Sequence, residues 1–170
     1  ELFKRMTVLD NLLLGKHQRL KTGPISAGLF WGRMLREELT TRLDVEKIVD
    51  FLEMEHVRAH QVGALPYGLQ KRVELGRALA MDSKILLLDE PVAGMNQEET
   101  EDMARFILDI HEELGITIIM VEHHMDVVMD ICERICVLNY GNKIAEGCPR
   151  EIQGNQEVRN AYLGEGDRFI

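Results

Sequence analysis

The chain has 170 residues, 45% of them apolar and 29% charged, and a formal net charge of −9. That length supports one domain with a real core rather than two, and the acidic balance excludes a basic nucleic-acid-binding face. No apolar run reaches the length of a membrane span, and Lys4, Arg5 and Asp10 break the N-terminal apolar residues, against a signal peptide.

The sequence opens in mid-pattern with Glu1-Leu2-Phe3-Lys4-Arg5-Met6, as a piece of something longer would. Thr7 with Asp10 makes a capping-box-like start to a first helix, whose apolar face is Val8, Leu9, Leu12 and Leu13. From Lys21 to Gly32 the pattern breaks, with Gly23-Pro24, Gly28 and Phe30-Trp31; this reads as a helix-helix corner or as an insertion that packs on a partner. A second amphipathic helix is predicted from about Asp44 to Met54, with Val45, Ile48, Val49, Phe51 and Leu52 inward. His56 and His60 are four apart, a spacing that can share a helical face, but no third metal ligand lies near them.

The run Leu65-Pro66-Tyr67-Gly68-Leu69-Gln70 leads into a third helix with Leu69, Val73, Leu75 and Leu79 at helical spacing. Pro66 and Gly68 mark a turn at its start, which leaves the first backbone N–H groups open to an anion; a plain helix after a turn explains the same residues. Next, Ile85-Leu86-Leu87-Leu88 runs straight into Asp89-Glu90-Pro91. An unbroken apolar run predicts a strand buried on both faces, and Pro91 favours an extended Glu90. The two carboxylates then emerge at the strand's carboxyl end, where open α/β sheets bind ligands, or simply occupy a solvated loop.

Asn96 is a good N-cap for a helix opening Gln97-Glu98-Glu99, with Met103, Phe106, Ile107 and Ile110 inward and a stop near Gly115. Ile116 to Val121 is a second buried strand running into Glu122-His123-His124, followed by a short helix bearing Met125, Val128 and Met129. Asn139-Tyr140-Gly141-Asn142 sits between Ile135–Leu138 and Lys143–Ala145 as a hairpin turn. Pro149 to Leu163 reads as two short helices. Cys132, Cys136 and Cys148 are odd in number and lack zinc-type pairing, which points to a reducing, cytosolic compartment. Strands alternating with helices make an α/β fold.

Three of these pieces, in this order, resemble the nucleotide-binding subunit of ABC transporters: Leu65 to Gln70 before a helix ending Arg77-Ala78-Leu79-Ala80, the strand with Asp89-Glu90-Pro91, and the strand ending Glu122-His123. The resemblance runs over essentially the whole chain and is nearest to the branched-chain amino-acid import ATPases. Ala93-Gly94-Met95-Asn96, Tyr140-Gly141, Ile144 to Gly147 and Ala161 to Glu165 carry that finer likeness, as do the Tyr67-Gly68 pair and the long segment from His17 to Arg42. It implies an ABC nucleotide-binding domain of P-loop NTPase type, truncated at its N-terminus. Residues 7–82 would form a mainly helical subdomain with the signature motif, 83–148 part of the catalytic α/β core, and 149–170 a helical tail.

Roles follow from the resemblance residue by residue. Asp89 resembles the aspartate that holds Mg2+ through water, Glu90 the glutamate that orients the attacking water, and His123 the switch histidine that senses the γ-phosphate. Leu65, Pro66, Tyr67, Gly68, Leu69 and Gln70 occupy the signature loop, which caps ATP bound by the opposite subunit. Residues Ala93 to Asn96 occupy the loop that links the two subunits, and Leu2 to Val8 lie near the groove for the membrane subunit's coupling helix. The implied partners are a second ATP-binding subunit and transmembrane permease subunits, at the cytoplasmic face of the inner membrane.

The chain departs from that pattern in three places. The phosphate-binding loop GxxxxGK followed by Ser or Thr occurs nowhere; Gly15-Lys16 is the nearest string, and His17 follows it. Alone, these residues are therefore expected to bind ATP weakly or not at all and to leave a sheet edge exposed. Pro66, Tyr67 and Leu69 replace the signature's usual serine, glycine and glutamine, and His124 replaces the aspartate that usually follows the switch histidine. Lipopolysaccharide export is a rival reading within the family, against which Tyr67-Gly68 favours import. A non-catalytic interaction module that keeps the fold is a rival of another class. Chromosome-maintenance ATPases of similar fold would bring long coiled coils, and none appears in the sequence.

Overall fold

A computed structural model describes residues 2–17 and 33–163. The segment from Lys21 to Gly32, with its two alternative readings, lies outside the described residues. The chain divides into two compact units, Glu1–Met120 and Val121–Ile170.

The first unit begins with helix α1, Val8–His17. Thr7 Oγ1 accepts from the Asp10 N–H at 3.1 Å and donates to Asp10 Oδ2 at 2.7 Å, the expected start signal. Helix α2 spans Arg33–Phe51, longer at its N-terminal end than the periodicity predicts. Helix α3 spans Tyr67–Leu79 and packs against α1 and α2. Val8, Leu12, Val45, Val49, Leu52, Val73, Leu75 and Leu79 form the core between the three helices. Gly15, within the Gly-Lys string, is helical, and a β-carbon there would meet the Arg77 carbonyl oxygen of α3 at 2.6 Å. Close helix approach explains this glycine; Lys16 beside it pairs with Asp82 at 2.8 Å and Asp44 at 3.5 Å. His56 and His60 do not share an α-helical face. Glu55–Val57 is a single 3-10 turn, and both histidines are exposed.

Strand β1, Ile85–Asp89, and strand β2, Thr117–Val121, form a two-stranded sheet. The Thr117 N–H donates to the Lys84 carbonyl at 3.0 Å, so the strand starts lie side by side and helix α4, Gln97–Leu114, is the crossover. Met103, Phe106, Ile107 and Ile110 are buried, as their spacing predicts, and Gly115 ends α4 with a left-handed φ of +65°.

The strands differ from expectation. In β1, Leu86 is buried, while Ile85 is 54% and Leu87 76% exposed; Ile119 of β2 is 55% exposed. Neither strand is covered on both faces: side chains alternate across a strand, and the face of β1 that carries Ile85 and Leu87 is exposed while Leu86 is buried opposite it.

The second unit holds helix α5, Met125–Ile131, with Val127 and Val128 buried. An antiparallel hairpin of β3, Ile135–Asn139, and β4, Asn142–Gly147, follows. Tyr140 and Gly141 form its two-residue turn with φ of +45° and +80°, the left-handed pair of a type I′ turn. The tail forms helix α6, Pro149–Gly154, the single turn α7, Gln156–Val158, and a π-helical turn over Arg159–Leu163 rather than two ordinary helices.

Candidate functional site

In the first unit, β1 delivers Asp89 as its last residue, with Glu90 directly after it, both exposed. Glu90 is not extended: its φ is +46°, in the left-handed region. The cause is the turn that follows. The Ala93 N–H donates to the Glu90 carbonyl at 3.2 Å and the Met95 N–H to the Val92 carbonyl at 3.2 Å, while Pro91 and Val92 are buried. Burying Val92 and closing the turn outweigh the local preference that Pro91 imposes on its predecessor. A non-glycine residue in this region is uncommon, and such conformations cluster at functional sites.

The turn leads through Gly94 to Asn96, whose side chain accepts from the Glu99 N–H at 2.9 Å; Glu99 Oε2 in return accepts from the Asn96 N–H at 3.1 Å. This is a full capping box at the start of α4. The same Glu99 lies against Gly68, in the loop 65–70. A β-carbon built on Gly68 would sit 2.6 Å from Glu99 Cδ, so the glycine lets the Glu99 side chain approach the backbone closely. Tyr67 lies near Gly94, where a built β-carbon would be 3.3 Å from the Tyr67 ring. The structure thus brings Tyr67 and Gly68 together with residues 94–99.

Within the loop, Leu65 is buried and its carbonyl accepts from Gln70 Nε2 at 2.8 Å. Pro66 is the N-cap of α3 and offers no side-chain cap. Gly68 is buried, Leu69 half-buried, and Pro66 and Tyr67 exposed. Residues Leu2 to Met6 and the Tyr67, Gln70, Lys71 and Glu74 side of α3 line a cavity of about 620 Å³. Asn11 holds that wall, a role the sequence did not signal. It is fully buried; the Phe3 N–H donates to its Oδ1 at 2.9 Å, and its Nδ2 donates to the Phe3 carbonyl at 3.1 Å.

In the second unit, His123 is exposed and lies just past β2. Its backbone N–H donates to Glu122 Oε2 at 2.9 Å, and that of His124 donates to the same oxygen at 3.2 Å. The Glu122 side chain is 0% exposed and fixes the turn that presents His123. Glu122 could have been found from the same signal as Asp89, a carboxylate ending an apolar strand run.

Among the described residues no three His, Cys, Asp or Glu side chains cluster as a closed metal cage. Asp89 supplies a carboxylate at a strand end, which fits a Mg2+ ion whose other ligands are phosphate and water oxygens.

The ABC transporter family profile matches residues 1–93, and that of the branched-chain amino acid ATP-binding cassette transporters matches residues 142–168. The chain is 41% identical over 168 residues to the high-affinity branched-chain amino acid transport ATP-binding protein LivG of Salmonella typhimurium, covering 96% of this chain and 64% of LivG. It is 38% identical to BraF of Pseudomonas aeruginosa, a protein of the same description, with the same coverage. Among solved structures, the ADP conformation of MJ1267, an ATP-binding cassette of an ABC transporter, aligns with a TM-score of 0.76 at 32% identity, over 95% of this chain and 64% of MJ1267. The chain thus spans a little under two thirds of the length of the relatives it matches.

Proposed function

The chain belongs to the ABC transporter ATP-binding family, and from that we propose that it is part of an ATP-hydrolysing subunit powering a branched-chain amino-acid importer. The observation that carries this reading is the end of β1, which sets Asp89 and a left-handed Glu90 side by side at the strand's carboxyl end. The match of residues 142–168 to the branched-chain profile favours import over lipopolysaccharide export.

Phosphoryl transfer to water needs positioning and charge compensation more than covalent chemistry. Asp89 would hold Mg2+, which when bound neutralises phosphate charge. Glu90 accepts a hydrogen bond from the attacking water and orients it; the turn closed by Pro91 and Val92 aims its carboxylate. His123 can donate a ring N–H to a phosphate oxygen, from a turn that buried Glu122 holds in place. Residues Leu65 to Gln70, with the open start of α3, face an anion held by the opposite subunit. Asn96 acts from the loop between subunits. The groove beside Leu2 to Met6 receives the permease. No described helix is long and apolar enough to cross a membrane, which suits a subunit that reaches the membrane through its permease, on the cytoplasmic face.

The test is ATP turnover by the full-length protein reconstituted with its permease in vesicles. Turnover that rises when a binding protein loaded with a branched-chain amino acid is added supports the proposal. No hydrolysis at all would make the chain a non-catalytic module.

A further inference from the structure

We infer that Arg72 is a positioning residue for the ATPase reaction proposed above, clamping the signature helix α3 to α4 so that residues 65–70 and 93–99 move as one piece. The inference rests on that functional reading and goes beyond it, because Arg72 lies outside the loop and touches none of the reacting groups.

The geometry consists of two rungs between α3 and α4. At the first, Gly68 lies against Glu99, itself locked in the capping box with Asn96, and Tyr67 lies against Gly94. The second lies one helical turn further along α3. Arg72 Nη2 donates to Asp102 Oδ2 at 2.8 Å, and its guanidinium carbon is 4.7 Å from the centre of the Phe106 ring. Asp102 and Phe106 follow Glu99 by three and seven residues, on the same face of α4. The Arg72 side chain is only 13% exposed and Phe106 is fully buried. Arg105 stacks on the same ring at 4.3 Å, pairs with Glu53 just past the end of α2 at 3.0 Å, and lies 3.7 Å from Asp102.

A planar guanidinium satisfies both demands at Arg72, a carboxylate at its edge and an aromatic face beside it; an ammonium meets the first and loses the stacked geometry. A partly exposed ion pair adds little to global stability, so its loss loosens α3 without unfolding the unit. Small misplacements at a site that works by positioning lower rate steeply. Since residues 65–70 would meet nucleotide only when two subunits close on it, the loss falls on turnover and leaves nucleotide capture unchanged.

The experiment uses the full-length protein with its partner subunit and permease, and measures steady-state ATP hydrolysis. Arg72→Lys is expected to lower kcat at least tenfold, with KM for ATP within twofold of wild type. Asp102→Asn, which keeps shape and removes charge, is expected to lower kcat in the same way and serves if Arg72→Lys fails to fold. Arg72→Ala with Asp102→Ala should lose less than the sum of the two single variants, because the Arg72–Asp102 contact is counted in both, although Asp102 also lies 3.7 Å from Arg105. Wild-type kcat in Arg72→Lys and Asp102→Asn, a change confined to KM, or additive losses in the double variant would each overturn the inference. Glu90→Gln run in parallel separates the two claims. If it abolishes turnover while the Arg72 variants remain fully active, the positioning role alone falls; if it leaves turnover intact, the functional reading falls and takes the inference with it.

Discussion

Replacing Glu90 by glycine and by alanine isolates the backbone strain at the end of β1. Both substitutions remove the carboxylate and whatever it touches; they differ only in the β-carbon. At φ +46° that β-carbon costs about 1–2 kcal/mol, while glycine's extra freedom in the unfolded chain costs about 0.5–1 kcal/mol. Glu90→Gly should therefore be more stable than Glu90→Ala by about 1 kcal/mol, where at an ordinary loop position alanine would be equal or better. For a chain of 150–250 residues that difference is about 2–4 °C in Tm. Urea unfolding of both variants, followed by far-UV circular dichroism and by amide exchange at Val92 and Ala93, measures it. An alanine variant as stable as the glycine variant, or more so, refutes the left-handed conformation and with it the account of how the turn aims the carboxylate.

Three further outcomes follow from local geometry. Asn96→Ala should destabilise α4 by about 1 kcal/mol in thermal unfolding, and Asn96→Asp, which can still accept from the Glu99 N–H, by far less; equal losses would contradict the capping box. Leu87→Lys should leave stability within about 0.5 kcal/mol, since the side chain is 76% exposed, and should reduce aggregation of this chain measured by light scattering; a large loss of stability would mean that Leu87 is buried. At Cys148 the backbone N–H donates to Glu151 Oε2 at 2.8 Å, and that backbone hydrogen bond holds the Glu151 carboxyl below the ordinary glutamate value. Its contribution to α6 is therefore complete above the unfolded glutamate pKa and is lost as pH falls through the lowered folded value. The Cys148 amide shift should step in that acid range and not in Glu151→Gln; a step that persists in the variant would place the titration elsewhere.

What was legible in the sequence was what local chemistry decides. The helical spacing of Met103, Phe106, Ile107 and Ile110, the Asn96 cap and the Gly115 stop fixed α4 almost to the residue. Tyr140-Gly141 between matched strands fixed the hairpin, because a two-residue turn needs positive φ twice. The misreadings came where tertiary neighbours decide. The run Ile85 to Leu88 suits a strand covered on both faces, but coverage depends on which elements flank it, and here Ile85 and Leu87 face outward. Pro91 favours an extended predecessor, yet burial of Val92 in the following turn forces Glu90 left-handed. Asp89, Glu90 and the loop 65–70 were visible as a motif. Arg72 and Asp102 were not, since a charged residue on a helix signals a partner only once the fold places one beside it.

In the function proposed above, Glu90 orients the water that attacks ATP. The direct measurement is single-turnover hydrolysis of bound ATP by the full-length protein, with wild type and Glu90→Gln compared under conditions that trap the closed dimer. Glu90→Gln is expected to bind ATP, close into a stable dimer and hydrolyse the nucleotide at least a hundredfold more slowly, a barrier higher by about 2.7 kcal/mol or more. Hydrolysis at the wild-type rate in Glu90→Gln would contradict it.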